Sequence, residues 1–173
     1  MTSSSEFSLL VSIVVLLQFS ASVLASTKYI DTICRMQSVQ DKTFCLKTLN
    51  AYPPAVTATS LSPLVNIVIG YGISYAEKTE GFAAEAAKHG HRFQLCKEHY
   101  ATLSGNLRMS ISELKEDPMS ANYDVMLCYD STRYVKDLVG KNKDEASKRL
   151  MKMTLMMEKI IPIVLGATEA VGA

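Results

Sequence analysis

Few residues of this chain can do chemistry, and their spacing limits which reactions are open to them. Four cysteines stand at 34, 45, 96 and 128, and three histidines at 89, 91 and 99. Cys96 with the three histidines is the grouping that has metal-ligand residue types. A zinc site needs its ligands to converge on one point, and His89-Gly90-His91 straddles a helix boundary, so no metal is expected. A cysteine nucleophile needs a free thiol beside a base, and nothing in the spacing marks one. Glu77, Glu80, Glu85, Glu98, Glu113 and Glu116 would have to supply a glycosidase-like acid pair. They fall mostly off the apolar ladders described below and suit solvated helix faces. No Gly-x-Ser-x-Gly elbow, His-Glu-x-x-His pair, phosphate-cradling glycine loop or dinucleotide fingerprint occurs. The expectation is a protein that is not an enzyme, with no catalytic residue, cofactor or metal.

The elements that would carry these residues are helices. Apolar residues recur at steps of three and four in four ladders. The first is Leu64, Val68, Tyr71, Tyr75, Phe82 and Ala86, with a gap near Lys78 and Thr79. Ser62-Pro63 suits its start and Gly90 its stop. The second runs from Phe93 through Cys96, Tyr100, Leu103, Leu107 and Ile111 to Leu114 and ends at Asp117-Pro118. Ala121, Val125, Cys128, Thr132, Val135 and Val139 make the third, before Gly140. The fourth is Ala146, Leu150, Met153, Met157, Ile160 and Val164. Asn142 and Glu145 suit a capping box there, and Pro162 should kink or end the helix. Four long amphipathic helices with short connections predict an all-α fold, an antiparallel four-helix bundle over residues 61–173. The methionines at 151, 153, 156 and 157 fit core filling better than a partner surface.

Residues 1–25 carry no Lys or Arg and one acid, Glu6. An apolar run from Leu9 to Leu17 is too short to cross a bilayer, which takes about 20 residues. Val23-Leu24-Ala25 fits a small-x-small cleavage site, so residues 1–25 are expected to be a secretory signal peptide removed after Ala25. The remainder keeps 18 basic and 16 acidic residues, a net charge of +2. That charge gives no footprint for nucleic acid, and no membrane association is expected after cleavage. Secretion makes disulfides the default use of cysteine.

Residues 26–60 lie outside the bundle pattern. Tyr29–Arg35 and Lys42–Leu49 are helical patches shorter than the roughly 12 residues at which an isolated helix becomes marginal. A bond between Cys34 and Cys45 would staple them, worth about 3 kcal/mol in the chain-entropy view. A disulfide-locked N-terminal helical hairpin is therefore expected, with Tyr52-Pro53-Pro54 leading into the bundle.

Beyond periodicity, the order of motifs is distinctive. Ile33-Cys34, ten residues, Cys45-Leu46-x2-Leu49, then Leu95-Cys96-x3-Tyr100-x2-Leu103, then Glu116-Asp117-Pro118-x2-Ala121-Asn122-Tyr123-Asp124 and a fourth cysteine precede a final apolar helix. Taken together, this resembles the plant invertase/pectin methylesterase inhibitor family across residues 26–173, as one inhibitor domain. The resemblance implies disulfides Cys34–Cys45 and Cys96–Cys128. It also implies a non-catalytic protein of the cell wall that occludes the substrate cleft of a carbohydrate-active enzyme in a one-to-one complex. Two features depart from the family. Ten residues rather than eight or nine separate the first two cysteines, a small change in loop closure. In an antiparallel pair turning near 117, the residue opposite Cys96 lies near 138, so Cys128 falls about ten residues short, roughly 15 Å along a helix. The family's cysteine would fall nearer Val135. Either a break near Gly105 brings Cys96 and Cys128 together, or both are buried thiols.

Some invertase inhibitors of the family carry a Pro-Lys-Phe motif, which is absent here. That favours pectin methylesterase as the partner, with acid invertase or fructosidase as the alternative. A bundle that carries a small ligand or a signal, through a cavity lined by Met and Tyr, is the reading from another class. No inhibitory contact residue is assigned by any motif.

Overall fold

The structure is a computed structural model that describes residues 28–172. The expected signal peptide lies outside the described residues. Residues 28–34 form α1, followed by α2 (Lys42–Asn50), α3 (Pro53–Val56), α4 (Leu61–Ala86), α5 (His91–Glu113), α6 (Pro118–Val139) and α7 (Glu145–Glu169). No strand occurs among the described residues. Helices α4–α7 form the bundle, each packed on two neighbours in the order α4–α5–α6–α7–α4. Cross-helix pairs fix the directions. Asn122 Nδ2 donates to Thr168 Oγ1 at 2.8 Å and Thr132 Oγ1 to Glu158 Oε1 at 3.2 Å. As the α6 number rises the α7 number falls, so the two run antiparallel.

Helix ends follow the side chains available to satisfy free backbone groups. Asp117 caps α6 by accepting from Ser120 N, and Asp144 caps α7 by accepting from Ser147 N. The expected Asn142–Glu145 box is displaced because Asp144 is one residue from the first turn and already ionised. Helix α4 starts at Leu61, ahead of Ser62-Pro63, which occupy its first turn. Gly90 ends the short 3-10 turn after α4 at φ 154°, a conformation that an L side chain rarely adopts. Pro162 does not end α7: the helix runs from Glu145 to Glu169, and Ser38 Oγ donates to the Pro162 carbonyl at 3.4 Å.

Leu64, Val65, Val68 and Ile69 fill the core in the first part of α4, and beyond them its core line is made of small residues. Gly72, Ala76, Thr79 and Ala83 are buried, while Tyr71, Tyr75 and Phe82 lie half-buried beside them. On α5 the inward residue near the C-terminus is Ser110, and Ile111 is exposed. All six residues of the third ladder are buried. Buried hydroxyls mostly turn back on their own helix, as Thr79 does to Tyr75 O and Ser110 to Leu107 O. One pair crosses the interior: Tyr100 Oη lies 3.0 Å from Thr154 Oγ1, joining α5 to the diagonal helix α7. Satisfying both hydroxyls there removes a desolvation penalty and fixes one packing arrangement.

The N-terminal hairpin carries a Cys34–Cys45 disulfide with Cα atoms 5.7 Å apart. It docks on the C-terminal half of α7. Glu169 accepts from Ser38 N at 3.3 Å, and Lys159 Nζ lies 5.4 Å from the centre of the Phe44 ring. The tightest approach is at Gly166, where an added Cβ would sit 2.4 Å from Val39 Cγ2 and 2.9 Å from the Ile33 carbonyl oxygen. The hairpin backbone occupies the space of that missing side chain. Gly166→Ala is therefore expected to lower stability by about 1–3 kcal/mol through overpacking despite the better helix propensity of alanine. Thermal unfolding followed by circular dichroism checks this, and an unchanged or raised midpoint would contradict the close docking.

Candidate docking face

The chemistry-bearing residues are spread rather than convergent. His89 and His91 are exposed on either side of Gly90, whereas Cys96 is fully buried and His99 stacks flat on Tyr134, with ring centres 4.9 Å apart. Among the described residues no group of three His, Cys, Asp or Glu is placed to hold a metal ion. Glu77 on α4 pairs with Arg108 on α5, and Glu98 accepts from Gln94. Glu80 is half-buried, and Glu85 and Glu116 are exposed.

Cys96 and Cys128 are free thiols in the structure, so the bond that the family pattern implies is absent here. Register is the reason. Leu103 faces Cys128, whose Sγ lies 3.7 Å from the Leu103 carbonyl oxygen, and His99 faces Tyr134. One heptad on from the Leu103–Cys128 level, the residue opposite Cys96 is Val135. Cys128 thus falls seven residues short rather than ten, about 10 Å along the helix, beyond the roughly 7 Å between Cα atoms that a disulfide permits. Helix α5 runs unbroken through Gly105. Burial raises both thiols, Cys96 to about 11 and Cys128 to about 12, with the Asp124 charge adding to the rise at Cys128. They behave as small apolar groups with little thiolate. In a Val135→Cys variant the introduced thiol is expected to bond with Cys96 on air oxidation, seen as a loss of two mass units with one reactive thiol left after unfolding. Failure of that bond to form would refute the register.

Helix α6 presents two opposite stripes. Ala121, Val125, Cys128, Thr132 and Val135 face inward. Met119, Tyr123 and Met126, at steps of four and three, face outward and are 68%, 60% and 52% exposed. Asp130, Arg133 and Tyr134 continue this outer side, with Arg133 Nη2 2.9 Å from Asp130 Oδ1 and its guanidinium 5.7 Å from the centre of the Tyr134 ring. Towards α5 the surface forms an open groove of about 400 Å³, lined by His99, Asn106, Leu127, Asp130 and Tyr134 among others. Exposed thioethers and tyrosine rings on a rigid helix suit protein docking, since aromatic residues and Met are enriched in interface cores. Sequence reasoning singled out the α7 methionines, of which Met157 is fully buried. It missed the α6 stripe, although the signal was present as a second ladder offset from the first.

At the turn end of the same seam, α5 and α6 bring two acids together. Asp124 is 8% exposed and its Oδ2 has no hydrogen-bond partner; Glu113 Oε2 is likewise buried and unpartnered. Desolvation raises the Glu113 pKa, and the Asp124 and Asp117 carboxylates raise it further. A neighbouring like charge disfavours the ionised form of Glu113.

The sequence profile of one protein family, plant invertase/pectin methylesterase inhibitor, matches residues 28–157, from α1 through the first half of α7. The chain belongs to the plant invertase/pectin methylesterase inhibitor family. A search of curated proteins gave no match. Members of this inhibitor family are inhibitors rather than enzymes and bind a carbohydrate-active enzyme such as pectin methylesterase or invertase. The family is extracellular in general, and among the described residues no helix is long and apolar enough to cross a membrane.

Glu113 makes the stability of this chain depend on pH. A carboxyl group whose pKa is raised on folding binds its proton more tightly in the native state. Stability then falls as pH climbs from the unfolded value of about 4.5 through the raised native value. Asp117 and Asp144 act oppositely: their pKa values are lowered chiefly by hydrogen bonds from Ser120 and Ser147, so their contribution is lost as pH falls below about 3.8. Glu113→Gln removes one charge and supplies an amide donor to Asp124. It is expected to raise the unfolding midpoint at pH 7.5 more than at pH 4.5, and an equal effect at both pH values would refute the raised Glu113 pKa.

Proposed function

We propose that this chain is a secreted inhibitor of pectin methylesterase that docks through the outer side of α6 and its groove with α5, closing the enzyme's substrate cleft in a one-to-one complex. The observation that carries the docking surface is the stripe Met119–Tyr123–Met126, three large side chains held in solvent on a helix whose other face is fully buried. Family membership supplies the kind of partner. The absence of Pro-Lys-Phe favours the esterase over acid invertase.

The mechanism is occlusion by a preformed surface. Backbone hydrogen bonding along four long helices, together with the Tyr100–Thr154 bond across the interior, leaves little backbone freedom to lose on binding. Association then costs mainly rigid-body and side-chain entropy. Tyr123 can give a large contact area for two rotatable bonds, and the methionines adapt to an irregular wall. Polar neighbours such as Asp130 and Arg133 would form the rim that fixes orientation.

The test is inhibition of purified pectin methylesterase and of purified acid invertase by the protein at micromolar concentration. Inhibition of the esterase is expected, with Tyr123→Asp weakening it about ten-fold or more while helicity is unchanged. Inhibition of invertase alone would reverse the target, inhibition of neither would reject the reading, and an unaffected Tyr123→Asp would move the interface elsewhere.

A further inference from the structure

We propose that Met119 and Met126 form a sulfur-oxidation site through which a hydroperoxide switches off docking by α6. The proposal rests on the reading of the α6 stripe as the contact surface.

The distribution of sulfur in the fold selects these two residues. Cys34 and Cys45 are consumed in a disulfide, and Cys96 and Cys128 are fully buried. A thiol reacts with peroxide as its thiolate, and burial raises both free thiols far above neutral pH. The chain has no tryptophan. The sulfur that a peroxide meets in solvent is therefore thioether, which has no proton to lose and reacts without regard to pH. Met157 is fully buried, and Met36, Met151 and Met153 are half-buried. The exposed ones among the described residues are Met109, Met119, Met126 and Met156. Met119 and Met126 lie seven residues apart on one side of α6, flanking Tyr123, so two oxidations fall on one small surface.

The reaction balances without the protein. The thioether sulfur attacks one peroxide oxygen, a sulfur–oxygen bond forms and the oxygen–oxygen bond breaks. Sulfur is oxidised by two electrons to the sulfoxide, and the peroxide is reduced to water, or to an alcohol where it is an alkyl hydroperoxide. Each sulfoxide puts a strong acceptor where an apolar group met the partner, and it must be desolvated on docking. The core keeps its packing, because the residues that make it are out of reach. Two thiols reverse the change, leaving the thioether, one water and a disulfide, with methionine sulfoxide reductase as catalyst.

The test treats the purified protein with hydrogen peroxide and follows three readouts: peptide mapping by mass spectrometry, helicity by circular dichroism, and inhibition of pectin methylesterase. The expected result is sulfoxide at Met119 and Met126 ahead of Met157, unchanged helicity, and a loss of inhibitory potency of about ten-fold that the reductase with dithiothreitol restores. A Met119→Leu/Met126→Leu variant, compared with its own untreated sample, is expected to lose little on the same treatment. Full potency with both sulfoxides in place, or an equal loss in the leucine variant, would overturn the switch while leaving the docking reading intact. An untreated protein that inhibits neither pectin methylesterase nor invertase would overturn the docking reading, and the switch would fall with it.

Discussion

The register of α5 against α6 is the constraint on which the rest of the molecule depends. It is set by the short turn between Glu113 and Pro118, where Asp117 caps α6 and its backbone N donates to the Glu113 carbonyl at 2.8 Å. From that anchor the two helices count away from each other residue by residue. Glu113 therefore meets Asp124, Leu103 meets Cys128 and His99 meets Tyr134. A shift of one helical turn would separate the acids, break up the aromatic stack and move the thiols relative to each other by about 5 Å. Three features that look unrelated, an orphaned carboxylate pair, two unbonded thiols and a groove floored by stacked rings, are consequences of one turn.

The bundle compensates for the missing second disulfide by packing. Cys96 and Cys128 contribute apolar volume in a seam also closed by Leu103, Leu107 and Val135, all fully buried. A bond within a long helical pair would add less than its loop length suggests, because packing already orders the chain between its ends. The hairpin is the opposite case. Its helices are too short to persist alone, so the Cys34–Cys45 bond and the Gly166 contact act together: the bond shapes the hairpin, and the missing side chain on α7 lets it seat.

Much of this was legible in the sequence, and the parts that were not have physical causes. Long ladders on α5, α6 and α7 located those helices because apolar residues at steps of three and four mark one face, with Ile111 the exception at the end of α5. On α4 the ladder holds at Leu64, Val68 and Ala86, which are buried, but its Tyr71, Tyr75 and Phe82 are half-buried, since counting large residues overlooks Gly72, Ala76 and Ala83 where helices approach closely. The four-residue helix at Pro53–Val56 is not marked by any ladder, because Tyr52-Pro53-Pro54 reads as a connection, although proline can start a helix when it stands first. Asp144 displaced the expected cap by being closer to the turn. The outer stripe of α6 went unseen because attention fell on where methionine was densest, on α7, rather than on a second period running beside the first. Asp124 was visible as an acid one position before Val125, three after Ala121 and four before Cys128, hence on a buried face, but its partner Glu113 depended on a register that no local pattern supplies.

The same register allows an inhibitor to be stiff and still selective. A core alone fixes helices, but many surfaces can be mounted on it without changing its stability. In this chain the inward residues of α6 and the outward ones are interleaved at adjacent positions, so the backbone that buries Val125 and Cys128 also fixes where Tyr123 and Met126 stand. Outward side chains placed in this way need no loop to order them, and their position is as precise as the helix itself. Exposed side chains such as Met119, Tyr123 and Met126 can change at little cost to the fold, while Glu113 beside Asp124 links the stability of the same seam to pH.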